Sequence, residues 1–272
     1  MSATSMNGPQ GLAVAPPYVA GHQLLAGKSV LITAAAGAGI GFAAAKRCAE
    51  EGCRALFISD IHEKRLGEAV ARLREETGLD AVYGRLGDVS NEEQVQALVA
   101  DAEARTGGVD VLINNAGLGG SCRLVDMDDA QWSRVIDISL TGTFRMMRAM
   151  LPHMQARGRG TIVNNASVLG WRAQAEQAHY AAAKAGVMAL TRCTALEAAP
   201  HGVRINAVAP SIALHDFLKK SAPAELLEQL AAREAFGRAA EVWEVANVMV
   251  FLASDYASYL TGEVLSVSSQ HA

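Results

Sequence analysis

The chain has 272 residues, half of them hydrophobic, and a net charge of −4, which suits one large globular domain. The sequence has no basic stripe for a nucleic-acid partner and no apolar run near the roughly 20 residues of a membrane span. It also lacks the basic start and apolar core of a signal peptide, so we expect a cytoplasmic protein without membrane or nucleic-acid partners.

Residues 1–27 are rich in glycine, proline and alanine, and we expect a flexible or loosely docked arm there. From residue 28 to residue 272 we expect a single domain, because short apolar runs alternate with segments of helical periodicity. The runs are SVLIT, RALFISD, AVYGRLGD, VDVLINNAG, GTIVNNAS, VRINAVAP and EVLSVSS. This alternation predicts a doubly wound α/β fold, in which helices cover both faces of a parallel sheet.

Two helical segments show a clear apolar face, at residues 63–77 and 91–105. The residues expected to be buried there are Leu66, Val70, Leu73, Val95, Leu98 and Ala102.

The first strand leads into the stretch TAAAGAGIG, residues 33–41, and then into a helix. A glycine-rich turn at this place holds a dinucleotide pyrophosphate in doubly wound folds, on the N–H groups of the helix N-terminus. Gly37, Gly39 and Gly41 leave room for phosphates, although a tight turn without a ligand is the alternative for this stretch alone. Asp60 ends the second strand 19 residues after Gly41, near the spacing at which an acid binds the adenosine ribose.

Further candidate contacts to the cofactor lie at the ends of the next strands. Asp88 and Val89 follow the third strand, where the acid could contact adenine or instead cap a helix. The stretch NNAG ends the fourth strand, where the chain passes behind the cofactor. The full expected set is Thr33, Gly37, Gly39, Ile40, Gly41, Asp60, Asp88, Val89, Asn115, Ala116, Gly117, Tyr180, Lys184, Pro210 and Ile212.

The cofactor is predicted to be NAD(H), because the carboxylate of Asp60 would repel a 2′-phosphate and Ala38 offers no basic partner for one. Lys64 and Arg65 lie further along the next helix and are interpreted as solvated charges. The spacing of the four cysteines matches no zinc or redox motif, so we expect free thiols and no metal.

Tyr180 and Lys184 form the stretch YAAAK, whose spacing places both side chains on one helical face. Ser167 ends the fifth strand 13 residues before Tyr180. Hydride transfer at an alcohol carbon requires removal of the hydroxyl proton, and a free tyrosine with a pKa of about 10 is a poor base at neutral pH. A lysine ammonium and a positive nicotinamide ring both favour the phenolate. Ser167 can then hydrogen-bond the substrate oxygen, and Lys184 can also hold the nicotinamide ribose.

These motifs together resemble the short-chain dehydrogenase/reductase family from about Lys28 to Val267. The stretches RINAVAP and FGRAAEVWEVANVMVFLASDYASYLTGEV belong to the same resemblance. It implies a Rossmann-type sheet of strand order 3-2-1-4-5-6-7 and a nicotinamide cofactor. It also implies a homotetramer or dimer, in which the helix from Trp132 to Met150 and the helix carrying Tyr180 pack against a partner subunit.

The sequence departs from the family pattern at several positions. The glycine-rich turn is one residue longer, and Ala34 replaces its first glycine, whose role we expect Gly37 to take over. Ser139 stands where an asparagine supports a proton-relay water, and we include it among the catalytic residues. Ser211 replaces the glycine of a PG pair, and His215 stands where a threonine touches the nicotinamide amide. The closing GG is replaced by SSQHA.

Within the family, TAAAGAGIG, NNASVLGWRAQ and SVSSQH resemble an actinobacterial subgroup linked to the breakdown of steroid-derived rings carried as coenzyme A esters. Three functions stay open: dehydrogenation of such a ring alcohol, reduction of 3-oxoacyl-[acyl-carrier-protein] or 3-oxoacyl-CoA thioesters, and non-catalytic dinucleotide sensing. We expect a substrate lid at about residues 211–236. The expected substrate contacts are Leu118, Val168, Leu169, Trp171, His215 and Phe217.

Overall fold

The computed structural model describes residues 13–215, 218 and 224–269. The strands of the central sheet are β1 (Ser29–Ile32), β2 (Ala55–Asp60), β3 (Val82–Leu86), β4 (Val111–Asn114), β5 (Gly160–Asn165), β6 (Val203–Pro210) and β9 (Val264–Val267). Two short strands, β7 (Ala213–Leu214) and β8 (Ala240–Glu241), pair with each other outside it. Among the described residues the central sheet is parallel and has the order β3-β2-β1-β4-β5-β6-β9. The predicted order is confirmed, because β9 is the seventh strand of this sheet in chain order.

Helices connect the strands and cover both faces of the sheet. They are α1 (Ile40–Glu50), α2 (Glu63–Thr77), α3 (Glu92–Thr106), α4 (Asp129–Ile136), α5 (Gly142–Arg157), α6 (Ala178–Ala198), α7 (Ala224–Arg233) and α8 (Val242–Ala253). A π-helical turn, Asp137–Thr141, joins α4 to α5. Within the described ranges, no helix is both long and apolar enough to cross a membrane.

The strands are apolar throughout because each of their faces is covered. In β1, Val30 and Ile32 belong to the core beneath α1, α2 and α8, whereas Leu31 belongs to the core beneath α3, α5 and α6. This follows from the alternation of successive strand side chains between the two faces. On α2 and α3, the residues predicted to be buried are buried, except Val70, which is partly buried.

The segment before β1 packs against the C-terminal end of α1. Glu51 is fully buried there, and its carboxylate accepts hydrogen bonds from the backbone N–H groups of His22 (2.7 Å) and Leu24 (3.0 Å). Arg47 pairs with this carboxylate at 2.5 Å, and Leu25 is fully buried. The described part of the predicted arm is therefore held by specific contacts, while residues 1–12 lie outside the described residues.

Candidate active site

One asparagine joins the carboxyl ends of β1 and β4. The Thr33 hydroxyl accepts hydrogen bonds from the backbone N–H groups of Asn115 and Ala116, each at 3.0 Å. The Asn115 side-chain amide donates to the carbonyl oxygens of Thr33 (3.1 Å) and Ala34 (3.0 Å). The NNAG stretch therefore braces the glycine-rich turn from behind.

The three glycines of the turn have different surroundings. A Cβ added at Gly41 would lie 2.4 Å from the Asn115 Nδ2 and 2.5 Å from the Ala34 carbonyl oxygen, closer than real Cβ atoms come to other atoms. A Cβ at Gly37 or Gly39 would meet its nearest neighbour at 3.9 Å. Gly41 is thus required by the fold, whereas Gly37 and Gly39 border open space at the N-terminus of α1. A phosphate group fits this space.

The left-handed residue of the turn is Ala34, which has a φ of +51°, whereas the φ of Gly37 is not positive. Left-handed backbone favours glycine, because a Cβ crowds the following carbonyl oxygen. Ala34 itself therefore adopts the left-handed conformation, and the role of Gly37 at the pyrophosphate stays a prediction. The chain then runs along the end of β2, where the Ala35 N–H donates to the Ser59 carbonyl at 3.0 Å.

Asp60 lies at the carboxyl end of β2 and is 8% exposed. Its two carboxylate oxygens accept from the backbone N–H groups of Ala36 (3.3 Å) and His62 (3.0 Å). Each oxygen has a further lone pair with which it can accept from a ribose hydroxyl. Burial raises the pKa of Asp60 above its usual value. The half-exposed Arg65 guanidinium lies 3.6 Å from the carboxylate and opposes its negative charge, so Arg65 is not simply a solvated cation.

Asp88 follows β3 and accepts from the backbone N–H and the hydroxyl of Ser90 at 2.8 and 2.7 Å. It is not the cap of α3, because the Asn91 side chain accepts from the Gln94 N–H in that role. Val89 packs against Gly142 at the start of α5, where an added Cβ would lie 2.6 Å from Val89 Cγ2. On the far side of the turn, β6 ends at Pro210, and Ile212 lies just before β7. The residues at this edge of the sheet fit a dinucleotide.

The structure brings Ser167, Tyr180 and Lys184 together at the same edge. The Lys184 ammonium lies 5.5 Å from the centre of the Tyr180 ring and donates to the Asn165 carbonyl at 2.6 Å. Burial lowers the pKa of Lys184 to about 8. Burial raises the pKa of Tyr180, and a hydrogen bond with the Ser167 side chain acts in the opposite direction. Ser167 also accepts from the Leu169 N–H at 3.2 Å, which fixes the start of the loop after β5.

Two pairs of asparagines bridge β4 and β5, and this pairing was not predicted from the sequence. Asn114 on β4 lies in register with Asn164 on β5, and its side-chain amide donates to the side-chain oxygen Oδ1 of Asn164 at 2.8 Å. Next to this pair, the Asn165 amide donates to Asn115 at 3.1 Å. The repeated dipeptide in VLINNAG and GTIVNNAS was the signal that could have revealed Asn164 and Asn165.

Ser139 is fully buried in the π-helical turn. Its hydroxyl donates to the Leu118 carbonyl and accepts from the Leu118 N–H, both at 2.9 Å. Between Ser139 and Lys184 lies Gly117, where an added Cβ would be 3.7 Å and 3.2 Å from their polar atoms. The hydroxyl proton is therefore engaged by a backbone carbonyl, and the role of Ser139 in a proton relay stays a prediction.

The predicted substrate residues fall into three groups. Leu118, Val168, Leu169 and Trp171 lie on the loops that leave β4 and β5, with Trp171 42% exposed and Val168 buried. The His215 ring lies next to Gly39, where an added Cβ would be 3.9 Å from it. The contact of His215 with the substrate stays a prediction. Phe217 lies outside the described residues, as does part of the predicted lid.

Comparison with known proteins identifies relatives over nearly the whole chain. A family model described as enoyl-(acyl carrier protein) reductase matches residues 34–269. A Mycobacterium tuberculosis protein named (5R,7aS)-5-hydroxy-7a-methyl-1-oxo-2,3,5,6,7,7a-hexahydro-1H-indene-carboxyl-CoA reductase is 62% identical over 261 residues, which are 96% of this chain and 99% of the relative. The cis-4-hydroxycyclohexanecarboxylate dehydrogenase of Sinomonas cyclohexanicum is 43% identical over 88% of this chain and 94% of its own.

Solved structures agree with this relationship. A short chain dehydrogenase from Mycobacterium smegmatis superposes with a TM-score of 0.86 at 53% identity, over 96% of this chain and all of the other. An NAD+-bound xylitol dehydrogenase superposes with a TM-score of 0.84 at 30% identity, over 90% of this chain and 99% of the other.

Proposed function

Because the chain belongs to the short-chain dehydrogenase/reductase family of oxidoreductases, we propose that it interconverts a secondary alcohol and a ketone with NAD(H). The observation that carries this proposal is the meeting of Ser167, Tyr180 and Lys184 beside the braced glycine-rich turn. A hydroxyl donor, a titratable phenol and a buried ammonium are the groups that proton transfer at an alcohol oxygen requires.

A nicotinamide cofactor held at Gly37, Gly39 and Asp60 would supply the hydride chemistry at the alcohol or ketone carbon. The protein moves the proton. In oxidation, Tyr180 Oη removes the hydroxyl proton of the alcohol, and in reduction it returns a proton to the ketone oxygen. The Ser167 hydroxyl donates a hydrogen bond to the same substrate oxygen and keeps it within reach of the phenol.

Lys184 supports this transfer through its charge. With a pKa of about 8, its ammonium is largely charged at neutral pH, and a nearby positive charge favours the phenolate of Tyr180. Its hydrogen bond to the Asn165 carbonyl holds it at this place.

The cofactor would lie along the carboxyl edge of β1, β2 and β4. Its pyrophosphate would bind at Gly37 and Gly39 on the N-terminus of α1, and its adenosine ribose at Asp60. Asp60 supports NAD(H), since its carboxylate would repel a 2′-phosphate. The positive charge of Arg65, 3.6 Å from the Asp60 carboxylate, weakens this repulsion but does not cancel it, because the acid itself stays at the ribose position.

The substrate proposed is a bulky ring alcohol carried as a coenzyme A ester, from steroid breakdown. The names of the two relatives support it, because each contains a ring, a hydroxyl on the ring and a carboxyl group or its coenzyme A ester. The loops after β4 and β5 offer an exposed indole, Trp171, against which such a ring can pack.

The direct test is an absorbance assay at the NADH band with purified protein. The substrates are hydroxylated bicyclic carboxyl-CoA esters and simple 3-hydroxyacyl-CoA esters, each with NAD and with NADP. The proposal expects the highest kcat/KM with a ring ester and NAD. A preference for the straight-chain thioester would instead indicate a 3-oxoacyl reductase.

A variant pair separates catalysis from dinucleotide sensing. Tyr180→Phe should lower kcat roughly 10²–10⁴-fold, the usual contribution of a general acid–base group, and leave NADH affinity within about twofold because the phenol hydroxyl is lost without a change of ring shape. Tyr256→Phe, at an exposed tyrosine away from the site, is the matched control. A wild-type protein that binds NADH but turns over no substrate would favour the sensor.

We also propose that the protein is a homotetramer, or a dimer, through α4, α5 and α6. Support comes from Trp132 and Phe144, which expose more than a third of their surface on α4 and α5. Light scattering after size exclusion would measure the mass, and Phe144→Asp should reduce it to that of a smaller assembly. A monomeric wild-type protein would contradict this proposal.

A further inference from the structure

One residue of the predicted lid, Glu234, is a buried acid. It follows α7 directly, is 5% exposed and lies in a tight turn that ends with the Gly237 N–H donating to its carbonyl at 2.8 Å. A buried carboxylate is costly unless several donors satisfy it. Glu234 is not among the proposed catalytic residues. The groups that hydrogen-bond to its carboxylate therefore indicate its role.

Three hydrogen bonds to Glu234 come from the segment after β9. Its Oε2 atom accepts from the Ser268 hydroxyl (3.2 Å), the Ser269 N–H (3.0 Å) and the Ser269 hydroxyl (3.0 Å). The Ser269 hydroxyl also accepts from the Phe236 N–H at 3.4 Å. Hydrogen bonds to an ionised acceptor are the stronger kind, and three of them reach one oxygen. These two serines stand where the related family closes with two glycines.

The same serines also reach the loop that carries the catalytic serine. An Arg172 nitrogen donates to the Ser268 hydroxyl at 3.2 Å. Arg172 is five residues after Ser167, and the intervening turn is closed by the Gly170 N–H donating to the Ser167 carbonyl (2.9 Å) and the Arg172 N–H donating to the Val168 carbonyl (2.8 Å). A movement of Ser268 would therefore also move the short, hydrogen-bonded segment of residues 167–172, which includes Trp171.

The base of the lid is fastened separately. Strand β7, which enters the lid, pairs with β8, which leaves it, and the Ala240 N–H donates to the Ile212 carbonyl at 2.9 Å. The loop between these strands therefore has fixed ends, and the contacts of Glu234 add a third point on its returning side. This third attachment also contacts the loop after β5, because Ser268 hydrogen-bonds both Glu234 and Arg172.

We propose that Glu234, Ser268, Ser269 and Arg172 form a latch that holds the returning side of the lid against the loop carrying Trp171, and that the latch sets the affinity for the acyl part of the substrate. The latch residues are positioning residues, because they act through α7 and the loop after β5. The choice of acyl-CoA as substrate rests on the proposed function, whereas the holding of α7 does not.

The test combines hydrogen exchange with kinetics. In Ser268→Ala/Ser269→Ala, the backbone amides of α7 should exchange roughly tenfold faster than in the wild type, since charge-assisted hydrogen bonds are lost. The KM for the ring acyl-CoA should rise roughly tenfold, with kcat changed less than about threefold and NADH affinity unchanged. Ser266→Ala, at an exposed serine on the same strand β9, is the matched control and should change none of these values.

A conservative substitution separates positioning from general stability. Glu234→Gln keeps an oxygen that can accept from the two serines, so it should recover most of the exchange protection and KM lost in Glu234→Ala. Unchanged α7 exchange in the double-serine variant would overturn the latch. The latch would also be overturned if kcat fell to the same extent with every substrate and the melting temperature fell with it, because this result indicates a purely structural role. If the wild type turns over no ring acyl-CoA, the proposed function fails while α7 exchange still decides whether the latch exists.

Discussion

The substitution Gly41→Ala tests whether the fold itself, and not the cofactor alone, demands a glycine at the end of the turn. The added Cβ would lie 2.4 Å from Asn115 Nδ2 and 2.5 Å from the Ala34 carbonyl oxygen. Both atoms belong to the contact that braces the turn, and one of them is backbone, so the variant has to move the turn or lose the bond. We therefore expect Gly41→Ala to damage both stability and cofactor binding.

The magnitude follows from the contact. Overpacking in a close-packed region costs about 1–3 kcal/mol. For a domain of this size that range lowers the melting temperature by roughly 2–12 °C. A turn displaced by a few tenths of an ångström presents its N–H groups poorly, so the Kd for NADH should rise at least about tenfold, or about 1.4 kcal/mol. Thermal melting and fluorescence titration with NADH measure the two quantities on the same sample.

Gly37→Ala is the matched control, because its Cβ would meet nothing closer than 3.9 Å in the protein alone. Its melting temperature should stay within about 2 °C of the wild type, since removing a glycine from the unfolded chain is slightly favourable. Its Kd for NADH should nevertheless rise, because the methyl group occupies space meant for phosphate. If Gly41→Ala melts and binds NADH like the wild type, the reasoning from the brace is refuted.

Three further predictions concern charged groups. Asp60→Asn should raise the KM for NAD roughly 10–100-fold, the value of a hydrogen bond to a charged acceptor, and narrow the gap to NADP; an unchanged KM for NAD would show that Asp60 does not bind the ribose. Burial lowers the pKa of Lys184 from 10.5 to about 8, so between these pH values the unfolded chain binds more protons than the folded chain and the free energy of unfolding should rise with pH. Urea titrations at pH 7 and pH 10 measure this rise, which Lys184→Met should flatten. The same variant should have no enzymatic activity. Glu51→Ala leaves the buried Arg47 charge unpaired and should cost about 3–5 kcal/mol in urea unfolding, most of which Arg47→Met/Glu51→Leu should restore; an equally unstable double variant would contradict this.

Much of the fold could be predicted from local patterns. Helix α2 has the predicted bounds, because its apolar spacing of three and four residues matches the helical turn and Gly78 ends it with a φ of +70°. Tyr180 and Lys184 on α6 could be paired from their spacing alone, since residues four apart share a helical face. Ser167 was assigned from its place at a strand end, where parallel strands present side chains to one edge of the sheet.

Other parts of the site depend on contacts between distant residues, and these could not be predicted. Ala34 adopts the left-handed conformation because Asn115, 81 residues away, holds its carbonyl. The path of the chain after β7 also places His215 next to Gly39 of the glycine-rich turn. No local pattern contains the relative position of two such segments.

The sequence by itself determined which segments are strands and helices and which residue types carry the chemistry. These properties follow from backbone geometry and side-chain pKa values, which act within a few residues. The tertiary structure alone decided how the lengthened turn is braced, that Lys184 is buried with Asn165 as its partner, and that two serines after β9 reach Glu234 after α7. Each depends on the packing of elements far apart in the chain, because burial and hydrogen bonding exist only once those elements meet.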